Sequence, residues 1–231
     1  LSSNQHRETN MNNLLTIVIY SGDDAKWVWP YWHHYWKMYW KSEGKVKVLF
    51  VSELESPNME GITSYLTQLK GQENWATGLI NALVEQVTTP YIVFAHEDYF
   101  LTANMYEDKL LEVVTIMQRR NLMKVKLFHN PDTNLAIREN PIDSDGLHFY
   151  DKHRDYLNSF QPSIWNTKFF QGNLRYGENS WQSEVLGGKR ILENYVSLYA
   201  HSINLFPYVE TVWKGKKRDT HEQYFQIGKQ Q

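Results

Sequence analysis

The 231-residue chain contains no cysteine, which excludes disulfides, thiolate metal ligands and a cysteine nucleophile and suits a reducing compartment such as the cytoplasm. It has no excess of positive charge. With 24 Lys+Arg against 26 Asp+Glu and a net charge of −2, there is no basic field to hold a nucleic-acid backbone. Long hydrophobic runs are also missing. Leu14 to Tyr20, broken by Thr16, and Tyr91 to Ala95 are the longest, well short of the roughly 18 residues that a membrane span needs. Neither GxGxxG nor GxxxxGK[ST] occurs, which argues against a dinucleotide or P-loop enzyme. No basic segment followed by an apolar one opens the sequence, and the polar stretch Leu1 to Asn13 is expected to be a flexible arm.

What is present suits one large globular domain: 42% of residues are hydrophobic and 15% aromatic, enough to build a sizeable core. Leu14 to Tyr20 (LLTIVIY) predicts a strand buried on both faces. Residues Lys26 to Glu43 carry aromatic or apolar residues at 29, 32, 36, 40 and again at 28, 31, 35, 39, which predicts a helix with an early Pro30. Strands follow over Lys45 to Val51, Tyr91 to Ala95 and Lys124 to Phe128, with helices over Asn74 to Val87 and Tyr106 to Arg120. After the polar stretch Asn130 to Asp145 the alternation fades, leaving a short β-like piece near Phe160 to Trp165 and a helix from about Trp181 to Tyr195. This order predicts an α/β fold with a mostly parallel central sheet flanked by helices and an irregular C-terminal part. Residues 14–231 are read as a single domain.

In such sheets ligands bind at the carboxyl ends of strands. Three polar clusters fall there: Ser21 to Asp24, Ser52-Glu53, and His96-Glu97-Asp98. Glu97 and Asp98 are hard oxygen donors of the kind that Mg²⁺ and Mn²⁺ prefer, although a surface acidic pair is the plainer explanation. The five tryptophans and three tyrosines between Lys26 and Glu43 fit core packing better than sugar stacking or a membrane-interface helix, although both remain open. Glu178 to Glu184 places an acid at a helix start beside Trp181. It is either a charge stabilised by the helix dipole or a general base, and spacing does not separate the two. Lys214, Lys216, Lys217 and Arg218, followed by His221, form the dense basic group, by default a solvated tail.

Together these pieces resemble the GT-A-fold glycosyltransferases, and more narrowly small viral and bacterial surface-glycan enzymes with an EDYF variant of the Asp-x-Asp motif. The resemblance rests on Tyr20-Ser21-Gly22, Ser52-Glu53, Gly71-Gln72-Glu73-Asn74-Trp75, Thr89 to Thr102 (TPYIVFAHEDYFLT), Phe160 to Trp165 and Glu178 to Glu184. It implies residues 14–130 binding the donor, a nucleotide-diphosphate sugar such as a UDP-sugar, and residues 131–231 binding a glycan or glycolipid acceptor. Tyr20, Ser21, Asp23, Ser52, Glu53, Asn74 and Glu97 would then contact the nucleotide sugar, with Lys216 and Arg218 on its diphosphate. Asp98 and His221 would bind Mn²⁺ or Mg²⁺, Trp165 and Trp181 the acceptor, and Glu184 would act as the base of an inverting transfer. His96 stands where the motif has its first acid. The resemblance implies no nucleic-acid partner and allows peripheral membrane contact. A sugar-phosphate nucleotidyltransferase would carry a glycine-rich loop with Arg and Lys that this chain lacks. A carbohydrate-binding module or an inactive transferase-like scaffold is the non-enzymatic alternative.

Overall fold

The computed structural model describes residues 13–127, 141–150, 157–194, 198–213 and 215–227. The expected N-terminal arm up to residue 12, the polar stretch through residue 140, Phe128 and Lys214 lie outside the described residues. The chain opens with β1 (Leu15–Tyr20), a 3₁₀ turn over Asp23–Val28, α1 (Trp29–Tyr39), β2 (Trp40–Lys41), β3 (Lys47–Ser52) and β4 (Thr63–Leu66). A 3₁₀ turn over Gln72–Asn74 leads into α2 (Trp75–Gln86), β5 (Tyr91–His96), β6 (Tyr99–Leu101), β7 (Met105–Tyr106), α3 (Glu107–Arg120) and β8 (Lys124–Lys126). The C-terminal part holds β9 (Leu147–Tyr150), β10 (Ser163–Asn166), α4 (Thr167–Asn173), α5 (Ser180–Glu193) and β11 (Leu198–His201). It closes with β12 (Tyr208–Glu210), the hairpin β13 (Val212–Trp213) and β14 (Lys216–Lys217), and a 3₁₀ turn over Asp219–Phe225.

The expected helix over 26–43 is shorter in the structure. Its first turn winds as 3₁₀, and at Trp40 the backbone turns extended to pair with Met105. β4 is a half-buried edge strand of four residues, too short and too mixed in polarity for periodicity to reveal.

The main sheet runs β4-β3-β1-β5-β10-β8-β11-β9. The strands β4, β3, β1 and β5 are parallel, and β8 is parallel to β11, whereas β10 runs antiparallel to both β5 and β8. The chain leaves β1 for β3 on one side and returns to β5 on the other. Strand order therefore reverses beside β1, where open α/β sheets form a crevice at the carboxyl ends. Register sharpens this: Tyr20 sits beside Val51 of β3 and His96 of β5, so three strands end level.

Alternation along the strands sends Ile17, Ile19, Val93 and Ala95 to one layer and Val18, Tyr20, Ile92 and Phe94 to the other. The first layer is closed by α1, whose Trp32 and Trp36 stack at 5.0 Å and whose Trp29 and Trp32 meet Phe50 edge-on. The aromatic stripe is thus core. Deleting the Trp32 side chain would cost about 3–5 kcal/mol. The second layer is closed by α2, α4 and Ile191 of α5 around Trp75, Leu79 and Phe170. Among the described residues no helix is long and apolar enough to cross a membrane.

Candidate active site

A cleft of about 380 Å³ opens at the carboxyl ends of β1 and β5. Its floor is the Glu97-Asp98 turn between β5 and β6 with His96 at the end of β5, and Tyr20, Trp75, Phe160, Glu184, Glu210 and Trp213 complete the lining, with the Trp75 and Phe160 rings 4.9 Å apart. The tail reaches it because β12 pairs with β6, directly after the acidic turn.

Burial pushes the His96 imidazole down to about 4, against an opposing hydrogen bond with the Tyr20 backbone, so the ring is neutral near pH 7. It packs with Phe94, Tyr99, Trp75 and Phe160 at centroid separations of 5.2 to 6.3 Å. An acid at this position would lose its hydration among rings, which accounts for a neutral group there.

Burial first, then the neighbouring Asp98 charge, drives the Glu97 carboxyl well above its ordinary range, while the Ser21 hydroxyl and a backbone bond oppose the rise. Burial and Glu210 push Asp98 up to about 7, and Arg218 opposes. Glu210 is raised by burial and eased by Arg218 and His221; Arg218 meets it at 2.5 Å. Glu184, also in the lining, accepts the Phe160 N–H at 2.7 Å. Burial raises its carboxyl, the Phe160 bond and Lys124 lower it, and Glu210 raises it again. Four carboxyl groups that resist ionisation thus share one partly water-excluded space, a pattern concentrated at functional sites.

The expected residues divide into those in the cleft and those beneath it. Tyr20, Glu97, Asp98 and Glu184 line it. Tyr20 lies 5.3 Å from Trp75, and burial together with Glu53, Glu97 and Asp23 keeps its phenol protonated. Ser21 is buried under the floor, accepting from the Trp29 indole at 2.6 Å. Asp23 and Glu53 are buried and clamp three loops: the Asp23 carboxylate accepts the Leu54 N–H at 3.1 Å, and Glu53 accepts from Asp23 N at 3.0 Å and Gly71 N at 2.9 Å. Ser52 is fully buried and donates to the Glu55 carbonyl at 2.7 Å. Asn74 donates to the Lys70 carbonyl at 2.8 Å, while its neighbours Gln72 and Trp75 reach the cleft.

The expectation that Trp165 contacts an acceptor is corrected. It is fully buried, stacked on Phe169 with the Lys124 Nζ 4.0 Å from its ring, and has no surface to offer. Trp181, 63% exposed on the first turn of α5, follows Ser180 of the cleft lining. Lys216 lies on β14 in an adjoining groove with Lys217, Arg218 and Trp213. His221 packs 6.0 Å from Tyr224, and its buried Nδ1 has no partner among the described residues. Sequence reasoning missed Trp75, Tyr99, Phe160 and Glu210 as cleft residues. The first three sit inside segments already singled out, whereas Glu210 lies in YVETVW, which carries no recognisable pattern.

Among the described residues no three or more His, Asp or Glu side chains form a cage for a metal ion. A hard cation that takes one or two carboxylates and completes its shell with phosphate oxygens and water needs no such cage. Adjacent Glu97 and Asp98, with the Asp98 charge opposing ionisation of Glu97, fit that mode.

No family model and no curated protein matches the sequence. Solved structures do match. TarS from S. aureus superposes with a TM-score of 0.50 at 9% identity over 84% of this chain and 59% of its own, and in a complex with UDP with 0.51 at 10% over 84% and 59%. The mannosyltransferase PcManGT from Pyrobaculum calidifontis, in complex with GDP-Man and Mn²⁺, superposes with 0.55 at 10% over 87% and 58%. The present chain thus spans less than two thirds of each of these structures, and at such identities the likeness establishes the fold alone: a large mixed sheet flanked by helices, as in these structures.

Proposed function

We propose that the chain is a glycosyltransferase that moves a sugar from a nucleotide-diphosphate sugar, a UDP-sugar in the first instance, to a hydroxyl of a glycan or glycolipid acceptor. The carrying observation is that Glu97-Asp98 and Glu184 face one cleft at the carboxyl ends of β1 and β5. Tyr20 and Trp75 give the nucleobase an aromatic wall. Ser21, Asp23, Ser52, Glu53 and Asn74 serve the donor by holding the loops around it. Residues 14–130 carry most of the donor site, and the C-terminal part carries the acceptor site, with Trp181 at its rim.

Asp98, with Glu97 beside it and His221 behind Glu210, would hold Mn²⁺ or Mg²⁺, which when bound neutralises the diphosphate. Glu184 takes the proton of the acceptor hydroxyl. That oxygen forms a bond to the anomeric carbon as the bond from this carbon to the diphosphate breaks, and the electron pair leaves with the nucleoside diphosphate. A single displacement inverts the anomeric centre. Arg218, with Lys216 on the same hairpin, supplies positive charge toward the leaving group.

Thermal shift against UDP, GDP, CMP and dTDP, each with Mn²⁺, Mg²⁺ or EDTA, tests the reading. Ligand at a hundredfold excess over Kd stabilises by about 2.7 kcal/mol. A metal-dependent shift with one diphosphate is expected, followed by release of that diphosphate from its sugar nucleotide. No shift with any nucleotide overturns the reading in favour of a glycan-binding or scaffold domain.

A further inference from the structure

Beneath Glu184 lies a buried amine that the proposed reaction does not use, and burial, with Lys126 nearby, pushes it well below the usual lysine range. Lys124, on β8, is 4% exposed. Its Nζ donates to the carbonyls of Leu157 at 2.9 Å and Ser159 at 3.1 Å and lies 4.0 Å from the Trp165 ring centroid. A buried amine is costly unless its protons are placed, and here two carbonyls of one short segment take them. The same segment reaches the other way with its alternate residues. Asn158, fully buried, donates to the Ser183 carbonyl of α5 at 2.8 Å, and the Phe160 N–H meets Glu184 Oε1 at 2.7 Å. The approach of α5 is close: a Cβ on Gly187 would lie 2.2 Å from the Asn158 amide nitrogen.

We propose that Lys124 is a positioning residue for Glu184, acting through the 157–160 segment that it fixes to the sheet. The proposal rests on the reading of Glu184 as base, and it adds a residue with no access to substrate. One Glu184 oxygen is held by Phe160, leaving the other free to meet an acceptor hydroxyl. Loss of the two carbonyl anchors lets the segment shift and Glu184 with it, and displacements of about 1 Å at a reacting group cost up to roughly a hundredfold in rate. The titratable groups facing Glu184 are Lys124 from β8, Glu210 from β12 and Tyr99 from β6.

The test uses the full chain and two variants, Lys124→Met, which keeps most of the length and removes the donors, and Lys124→Gln, whose shorter amide keeps N–H donors but not the reach to both carbonyls. The readout is the Phe160 amide by ¹⁵N NMR across pH, assigned to Glu184 by its absence in Glu184→Gln. In wild type the Phe160 amide shift follows the Glu184 titration. In either folded variant this dependence is expected to be lost or displaced to higher pH, with kcat down roughly 10- to 100-fold and the donor KM within about twofold. If Lys124→Met does not fold, Lys124→Gln decides the point. A wild-type Phe160 titration and unchanged kcat in a folded variant overturn the proposal. Full activity of Glu184→Gln instead overturns the base reading, while the amide titration still reports whether Lys124 positions Glu184.

Discussion

Thr211 donates both its backbone N–H and its hydroxyl to the Asp98 carbonyl, each at 2.9 Å. This double bond-donor ties the returning tail to the acidic turn, and so sets where Glu210 and Arg218 stand relative to Asp98. Thr211 is fully buried, so Thr211→Val keeps the shape and the N–H bond while removing the hydroxyl donor. Urea unfolding should register a loss of about 1 kcal/mol. Calorimetric titration with UDP and Mn²⁺ should show weaker binding, and unchanged affinity would mean that the tail does not contribute to the donor site.

Asp98→Ala removes a carboxylate that burial and Glu210 already discourage from ionising. Folding should therefore suffer little, and the thermal midpoint should stay near wild type or rise. Transfer activity should fall by at least a hundredfold, because the proposed cation loses its main oxygen ligand. Measuring both on one preparation separates the two effects, and retained turnover would remove Asp98 from the metal site.

Glu53 has each carboxylate oxygen bonded to a backbone N–H, those of Asp23 and Gly71. Glu53→Gln replaces one acceptor by an amide that points hydrogens at a hydrogen, so one buried donor loses its partner. The expected cost is about 1–3 kcal/mol in unfolding free energy. Nucleotide preference among UDP, GDP, CMP and dTDP should be unchanged in a thermal-shift comparison. A changed preference with normal stability would instead make Glu53 a base-reading residue.

The strands β1, β3 and β5 were legible because nearly continuous β-branched and apolar runs mark strands buried on both faces, and the polar triplets after them mark the ligand edge. Trp165 was misplaced because a tryptophan in a short β-like piece reads alike whether it faces a cleft or a core. Only the antiparallel insertion of β10 between β5 and β8 decides it. Asp23 and Glu53 looked like ligand contacts for a similar reason: both end strands at the right edge, and what consumes their oxygens is the backbone of loops distant in sequence. Glu210 was invisible because it reaches the cleft through the pairing of β12 with β6, a contact across more than a hundred residues that no local pattern encodes.

Glu184 couples stability to activity in opposite directions. Burial raises its carboxyl above the ordinary value of 4.5, so the folded chain holds this proton more tightly than the unfolded chain does. As pH climbs from the ordinary value through the raised one, the unfolded chain has already released its proton, and stability falls and stays lower above that range. Glu184→Gln cannot ionise, and its Oε1 still accepts the Phe160 N–H. Urea unfolding should find the variant more stable than wild type at about pH 8, with the difference gone by about pH 4. Turnover should drop by about 10²- to 10⁴-fold, the usual contribution of a general base. Stabilisation without loss of turnover would leave a desolvated carboxylate with no part in the chemistry; loss of turnover without stabilisation would mean that the side chain is better hydrated than its surroundings indicate.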